Sequence, residues 1–126
     1  MEIKSISGVT CIVKDLAQTS AFYDALGFRL GKQDDSHLTC YVNWFWVDFI
    51  AADQASADAH RQEAQVANRG AGQYLHMKVE DVDAFYKDVC ARGMTPDGEP
   101  EGKRTTGRSF VLRDPDGYKL VFFEKK

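Results

Sequence analysis

The feature that most constrains this chain is that it repeats itself. Gly8-Val9-Thr10-Cys11-Ile12-Val13-Lys14-Asp15 can be laid on Tyr74-Leu75-His76-Met77-Lys78-Val79-Glu80-Asp81, 66 residues later, and both read as a strand ending at an acidic residue. After Asp15, the apolar residues Leu16, Phe22, Tyr23 and Leu26 recur near helical spacing; after Asp81, Val82, Phe85, Tyr86 and Val89 repeat the same face. Asp15 is then the N-cap, with Gln18 three residues on. Gly27 and Gly93, again 66 residues apart, stand where a left-handed residue would close each helix. The two helices therefore end in register.

Each helix is followed by strand-like segments. In the first half these are 28–31, 37–42 and 44–51, the last two rich in aromatic and β-branched residues. In the second half, 107–112 and 118–123 flank Asp114-Pro115-Asp116-Gly117, a strong turn signal between two strands. Residues 94–104, with two prolines and two glycines, read as loop around a short strand. Between the halves, 53–72 carries few large apolar residues and reads as a partly helical surface connector. The expectation is an α+β chain of two βαβββ modules, about 1–52 and about 73–126, joined by that connector within a single domain, 1–126.

Composition narrows the function classes. With 126 residues, 44% of them apolar and 28% charged, the chain has the make-up of one folded domain rather than a disordered one. A formal net charge of -3 gives no general attraction to phosphate backbones, so no nucleic-acid partner is expected. No apolar run approaches the ~20 residues that span a bilayer, so no membrane association is expected. Met1-Glu2-Ile3-Lys4 begins charged, without an apolar signal core, which leaves a cytoplasmic protein as the expectation. Cys11, Cys40 and Cys90 are odd in number and widely spaced, which suggests small buried apolar residues rather than disulfides or a zinc cluster.

Val13-Lys14-Asp15, Phe22-Tyr23, Leu26-Gly27-Phe28 and Asp114-Pro115-Asp116-Gly117, taken in order, resemble the vicinal oxygen chelate superfamily of glyoxalase I, bleomycin-resistance proteins and extradiol dioxygenases. The resemblance covers nearly the whole chain apart from the connector. It implies modules whose sheets curl into a half-open cleft with the helices outside. It also implies, in metal-dependent members, one ligand from the first and one from the last strand of each module. Those positions fall on Gly8, Asp48, Tyr74 and Val121. Only Asp48 is of a ligand type, and one carboxylate does not hold a divalent ion that needs three or more convergent donors. No metal and no cofactor are therefore expected; the alternative is a shifted site using His76 with Asp48, which would need two further partners.

Strand alternation then groups the candidates. Trp44, Trp46, Asp48 and Ile50 should share the cleft face, joined by Tyr74, His76 and Phe123. Aromatic walls with a few polar groups suit an organic ligand, and the same residues suit core or dimer-interface filling. His76 reads either as a general acid or base or as a hydrogen-bonded histidine without catalytic duty. Asp48 reads as a base, as the acceptor of a cationic ligand, or as a solvated carboxylate. His37 and His60 read as surface residues. Lys103, Arg104 and Arg108 form a basic group that either holds an anion or lies in a solvated loop. The resemblance favours a metal-free protein that binds a small organic molecule, aromatic or cationic and antibiotic-like, as a homodimer in the manner of bleomycin-resistance proteins. The alternatives are a glyoxalase-like lyase or isomerase or a ring-cleaving dioxygenase, with a non-standard or metal-independent site built on His76 and Asp48, and a fold serving only protein association.

Overall fold

The structure is a computed structural model that describes residues 1–52 and 69–125. The chain divides into two compact units, Met1–Arg69 and Gly70–Lys126. Each unit holds a four-stranded mixed sheet, not closed, with one helix packed on one face among the described residues. The α+β class and the two βαβββ modules expected from the repeat are present.

In the first unit, β1 (Gly8–Val13) leads into α1 (Leu16–Ala25), followed by β2 (Arg29–Gln33), β3 (His37–Val42) and β4 (Phe45–Ala51). The order across the sheet is β1-β4-β3-β2, with β1 parallel to β4 and the other pairs antiparallel. Asp15 starts α1 as expected: extended at φ -142, it accepts from the backbone N–H groups of Ala17 at 2.9 Å and Gln18 at 3.2 Å. At the other end Gly27 has φ +94, and the Phe28 N–H donates to the Tyr23 carbonyl at 3.0 Å. Tyr23, 2% exposed, lies 4.7 Å from Phe49 and 4.9 Å from Phe28 between ring centroids, which fixes the helix on the Phe49 face of β4. Phe49, Leu38, Cys40, Val47 and Val13 complete that core. Burying a side chain such as Phe49 contributes about 1.5–3 kcal/mol.

The second unit repeats the plan with β5 (Tyr74–Lys78), α2 (Val82–Ala91), β6 (Glu101–Lys103), β7 (Gly107–Arg113) and β8 (Lys119–Glu124), in the order β5-β8-β7-β6. Asp81 caps α2 by accepting from the Ala84 N–H at 3.1 Å, Gly93 has φ +86, and the Met94 N–H donates to the Val89 carbonyl at 3.2 Å. This last bond is the counterpart, 66 residues on, of Phe28 to Tyr23. Phe85 packs 4.6 Å from Phe122, and Phe110 stacks on Phe122 at 5.4 Å, with Leu112, Leu120, Val82 and Val89 buried around them. The Asp-Pro-Asp-Gly turn is held by its first residue: Asp114, 5% exposed, accepts from the Asp116 and Tyr118 N–H groups at 2.9 and 3.0 Å.

The differences from the sequence reading are local. Strand β2 runs two residues past the expected end, and β4 starts one residue later than expected because Asn43 and Trp44 form the hairpin turn, Asn43 at φ +54. Of the cysteines, Cys40 is buried, its thiol pushed up to about 11 by desolvation, but Cys90 is exposed, since it lies on the solvent side of α2. Arg104 and Arg108 are not in a free loop. Arg108 grips Asp83 with two bonds of 2.8 and 3.0 Å, and Arg104 reaches Asp83 at 3.1 Å and both Asp81 and the buried Glu124 at 3.5 Å. Most of the connector reading, with His60, lies outside the described residues. No helix among the described residues is long and apolar enough to cross a membrane.

Candidate functional site

Because α1 covers the Phe49 face, alternation puts Trp46 and Asp48, both half-buried, on the other face of the first sheet, which that helix leaves uncovered. Backbone register sets its rows. Arg29, Tyr41, Trp46 and Gly8 are successive partners across the four strands, and Thr39, Asp48 and Thr10 form the next row. Ile50 and Ile12 follow, both 7% exposed.

Gly8 decides how the first row is built. A Cβ placed on it would fall within the Trp46 indole, against Cδ2, Cε2 and Cε3, so the ring lies flat over the glycine. On the neighbouring strands one edge of the Tyr41 ring lies against Gly31, where a Cβ would meet Tyr41 Cε2 at 2.8 Å and the Thr39 carbonyl at 2.9 Å. The Arg29 guanidinium stands 4.6 Å from the centre of the Tyr41 ring. Asp48 is half-buried and accepts a hydrogen bond from Thr39 Oγ1 at 3.1 Å, which orients its carboxylate beside Trp46.

On the second unit α2 covers Phe110, Leu120 and Phe122, so Tyr74, His76, Val121 and Phe123 share the opposite face. The exposed His76 ring stands 6.3 Å from Phe123, edge to face, and among the described residues it makes no hydrogen bond. Lys119 Nζ sits 4.8 Å over the Tyr74 ring. Val121 is 8% exposed and pairs with His76.

The structure thus brings Trp46 and Asp48 together on one unit, and Tyr74, His76 and Phe123 together on the other. It places Trp44, expected beside Trp46, in the turn before β4 with 74% of its surface exposed. The sequence reading missed Arg29, Thr39 and Tyr41. A signal was present: once Asn43-Trp44 is taken as a two-residue turn, antiparallel pairing puts Tyr41 opposite Trp46 and Thr39 opposite Asp48.

The four positions where the family resemblance implies metal ligands do not fit a metal. The space for a side chain at Gly8 is filled by an indole, Val121 is a buried hydrocarbon, and the Tyr74 ring faces a lysine cation. Asp48 alone offers a carboxylate. Elsewhere, oxygens of Asp81, Asp83 and Glu124 lie within 4.8 Å of one another. They already meet Arg104 and Arg108, and Glu124 Oε1 also accepts from the Val82 N–H at 2.9 Å. That cluster is a structural clamp between β8, the β6–β7 hairpin and the start of α2.

Comparison with known proteins agrees with the topology. The model of the Glyoxalase/Bleomycin resistance protein/Dioxygenase superfamily matches residues 5–122. Among solved structures, a hypothetical protein of S. aureus is similar with a TM-score of 0.76 and 20% identity, covering 98% of this chain and 95% of that one. An integron cassette protein from the mobile metagenome of V. Cholerae is similar with a TM-score of 0.79 and 20% identity over 100% and 98% of the two chains. The fosfomycin resistance protein FosX of Listeria monocytogenes, complexed with manganese(II) and sulfate, gives a TM-score of 0.73 and 18% identity over 99% and 93%. At such identities the likeness is one of fold. No curated protein matches the chain.

Proposed function

The chain belongs to the Glyoxalase/Bleomycin resistance protein/Dioxygenase superfamily, and from that premise we propose that it is a metal-free protein that binds a flat aromatic small molecule, a cationic antibiotic-like compound among the candidates. The observation that carries this reading is the Trp46 indole laid on Gly8 beside a fixed Asp48 carboxylate. A ring stacked on Trp46 gains about 0.5–1.5 kcal/mol beyond its area burial, and a cationic substituent meets Asp48 without requiring that carboxylate to move. Tyr74, His76 and Phe123 are the corresponding aromatic and polar groups of the second unit. In this reading the two modules act as one domain, the working form is a homodimer, and the protein acts in the cytoplasm.

The second reading is an enzyme, a glyoxalase-like lyase or isomerase or a ring-cleaving dioxygenase, with a non-standard or metal-independent site; the fold it shares with FosX, complexed there with manganese(II), keeps it in view. Asp48 of the first unit or His76 of the second would be its acid-base group, and Gly8 and Val121 weigh against a metal there.

The deciding experiment combines metal analysis of protein purified without added metal with a tryptophan-fluorescence titration using 2-naphthylmethylammonium. Quenching by the probe in protein free of bound metal is the expected result. Stoichiometric manganese, nickel, zinc or iron, with no quenching, would overturn the proposal in favour of the enzyme.

A further inference from the structure

We propose that the open face of the first unit also carries an anion subsite at Arg29, so that its preferred ligands are planar aromatic carboxylates. This rests on the aromatic-binding reading above and adds an anion-binding end to the Asp48 end that the reading already has.

Three observations combine. First, Arg29, Tyr41 and Trp46 are successive partners across β2, β3 and β4, so the guanidinium and both rings form one row. Two strand spacings separate the ends of that row, about 9–10 Å, close to the length of a bicyclic aromatic acid. Second, the rings lie against glycines: Gly8 lies under Trp46, and one edge of the Tyr41 ring lies against Gly31, where a Cβ would meet it at 2.8 Å. The indole makes a low, flat floor on which a second aromatic system can stack, and the guanidinium over the Tyr41 ring bounds that floor on the β3 side.

Third, Arg29 is placed to receive an anion. Its guanidinium is held 4.6 Å over the Tyr41 ring, and the residue is exposed. Among the described residues it forms no ion pair with a carboxylate, whereas Arg92, Arg104, Arg108 and Arg113 each pair with an aspartate. A guanidinium fixed by a ring loses little further freedom on binding, and its planar fork matches a carboxylate with two parallel hydrogen bonds. Asp48 sits on the next row along β4, with Thr39 and Thr10, so it faces the end of the ligand away from Arg29. An amine or hydroxyl at that end is accommodated, and a second acidic group there is rejected.

The test is calorimetric titration of the full chain with 2-naphthoate and with 2-naphthylmethylammonium, using wild type, Arg29→Gln and Arg29→Lys. Arg29 is exposed, so neither variant opens the core. Hydrogen bonds to a charged group imply that Arg29→Gln weakens 2-naphthoate by roughly tenfold or more. Arg29→Lys should recover part of that loss, and the ammonium probe should bind all three proteins alike. Equal binding of 2-naphthoate to wild type and Arg29→Gln overturns the subsite. Binding of the ammonium probe without any binding of 2-naphthoate overturns it too, and leaves the aromatic-binding reading standing. Failure of both probes overturns both.

Discussion

The Trp46 indole lies on the backbone of Gly8, in the volume that any side chain at position 8 would occupy. The two residues are direct partners in the parallel β1–β4 register, so the contact is set by backbone pairing and not by a mobile loop. One missing side chain thereby does two things. It lets the ring lie flat as a stacking surface, and it leaves no room at position 8 for a group that would bind a metal.

The first prediction follows from that contact. Gly8→Ala places a methyl where the ring now sits, and the indole must turn outward into water. We expect a red shift of tryptophan emission, loss of quenching by 2-naphthylmethylammonium, and a stability loss of about 1 kcal/mol from the disturbed packing. Wild-type emission and quenching in Gly8→Ala would show that the ring does not depend on the glycine.

The two tryptophans should separate cleanly. Trp44 is 74% exposed in the β3–β4 turn, whereas Trp46 is half-buried on the open face. Trp44→Phe is expected to remove red-edge emission and keep ligand quenching; Trp46→Phe is expected to remove the quenching. Fluorescence titration of the two variants checks this, and quenching that survives in Trp46→Phe but not in Trp44→Phe would place the ligand at the turn.

A pH dependence comes from the clamp on α2. The hydrogen-bonded Arg108 guanidinium, and Arg104 beside it, hold Asp83 below the usual carboxylate range against some desolvation. A depressed folded value means that the ionised carboxylate stabilises the fold above its unfolded pKa of about 3.9. That contribution is lost as pH falls through the lower folded value. Asp83→Asn should therefore be less stable than wild type at pH 7, with the gap narrowing below about pH 4. Urea unfolding across that range checks it; a gap independent of pH would show that the charge of Asp83 does not contribute.

Much of this molecule was legible because it is written twice. The acidic caps Asp15 and Asp81 and the closing glycines Gly27 and Gly93 are local signals, each acting within one helical turn, and they recur at one offset. The open face was legible only in part. Alternation put Trp46 and Asp48 on one face, as the register does, but it carried the strand back to Trp44, because a run of aromatic residues does not itself mark where a hairpin begins; the mark was Asn43, just before it. Arg29 and Tyr41 escaped because their partnership with Trp46 crosses strands, and cross-strand neighbours follow from register, which a one-residue change in the turn alters completely. The role of Arg104 and Arg108 was hidden for a similar reason: their carboxylate partners stand on another element, about 20 residues earlier or later in the chain.

The last prediction isolates backbone conformation from packing. Gly27 and Gly93 have φ of +94 and +86, and a Cβ on either would meet nothing within 4 Å. Space is thus available at both sites, and the only penalty for alanine is the left-handed conformation, about 1–2 kcal/mol. Gly98 is the control. A Cβ there also meets nothing, but its φ is not in the left-handed region. Alanine at Gly98 restricts the unfolded chain without straining the folded one, which leaves stability unchanged or raised by about 0.4–1 kcal/mol. Chemical denaturation of Gly27→Ala, Gly93→Ala and Gly98→Ala should show equal losses for the first two and none for the third. Unequal losses at the two helix ends would mean that the repeated motif, though alike in sequence and hydrogen bonding, does not close the two helices by the same means.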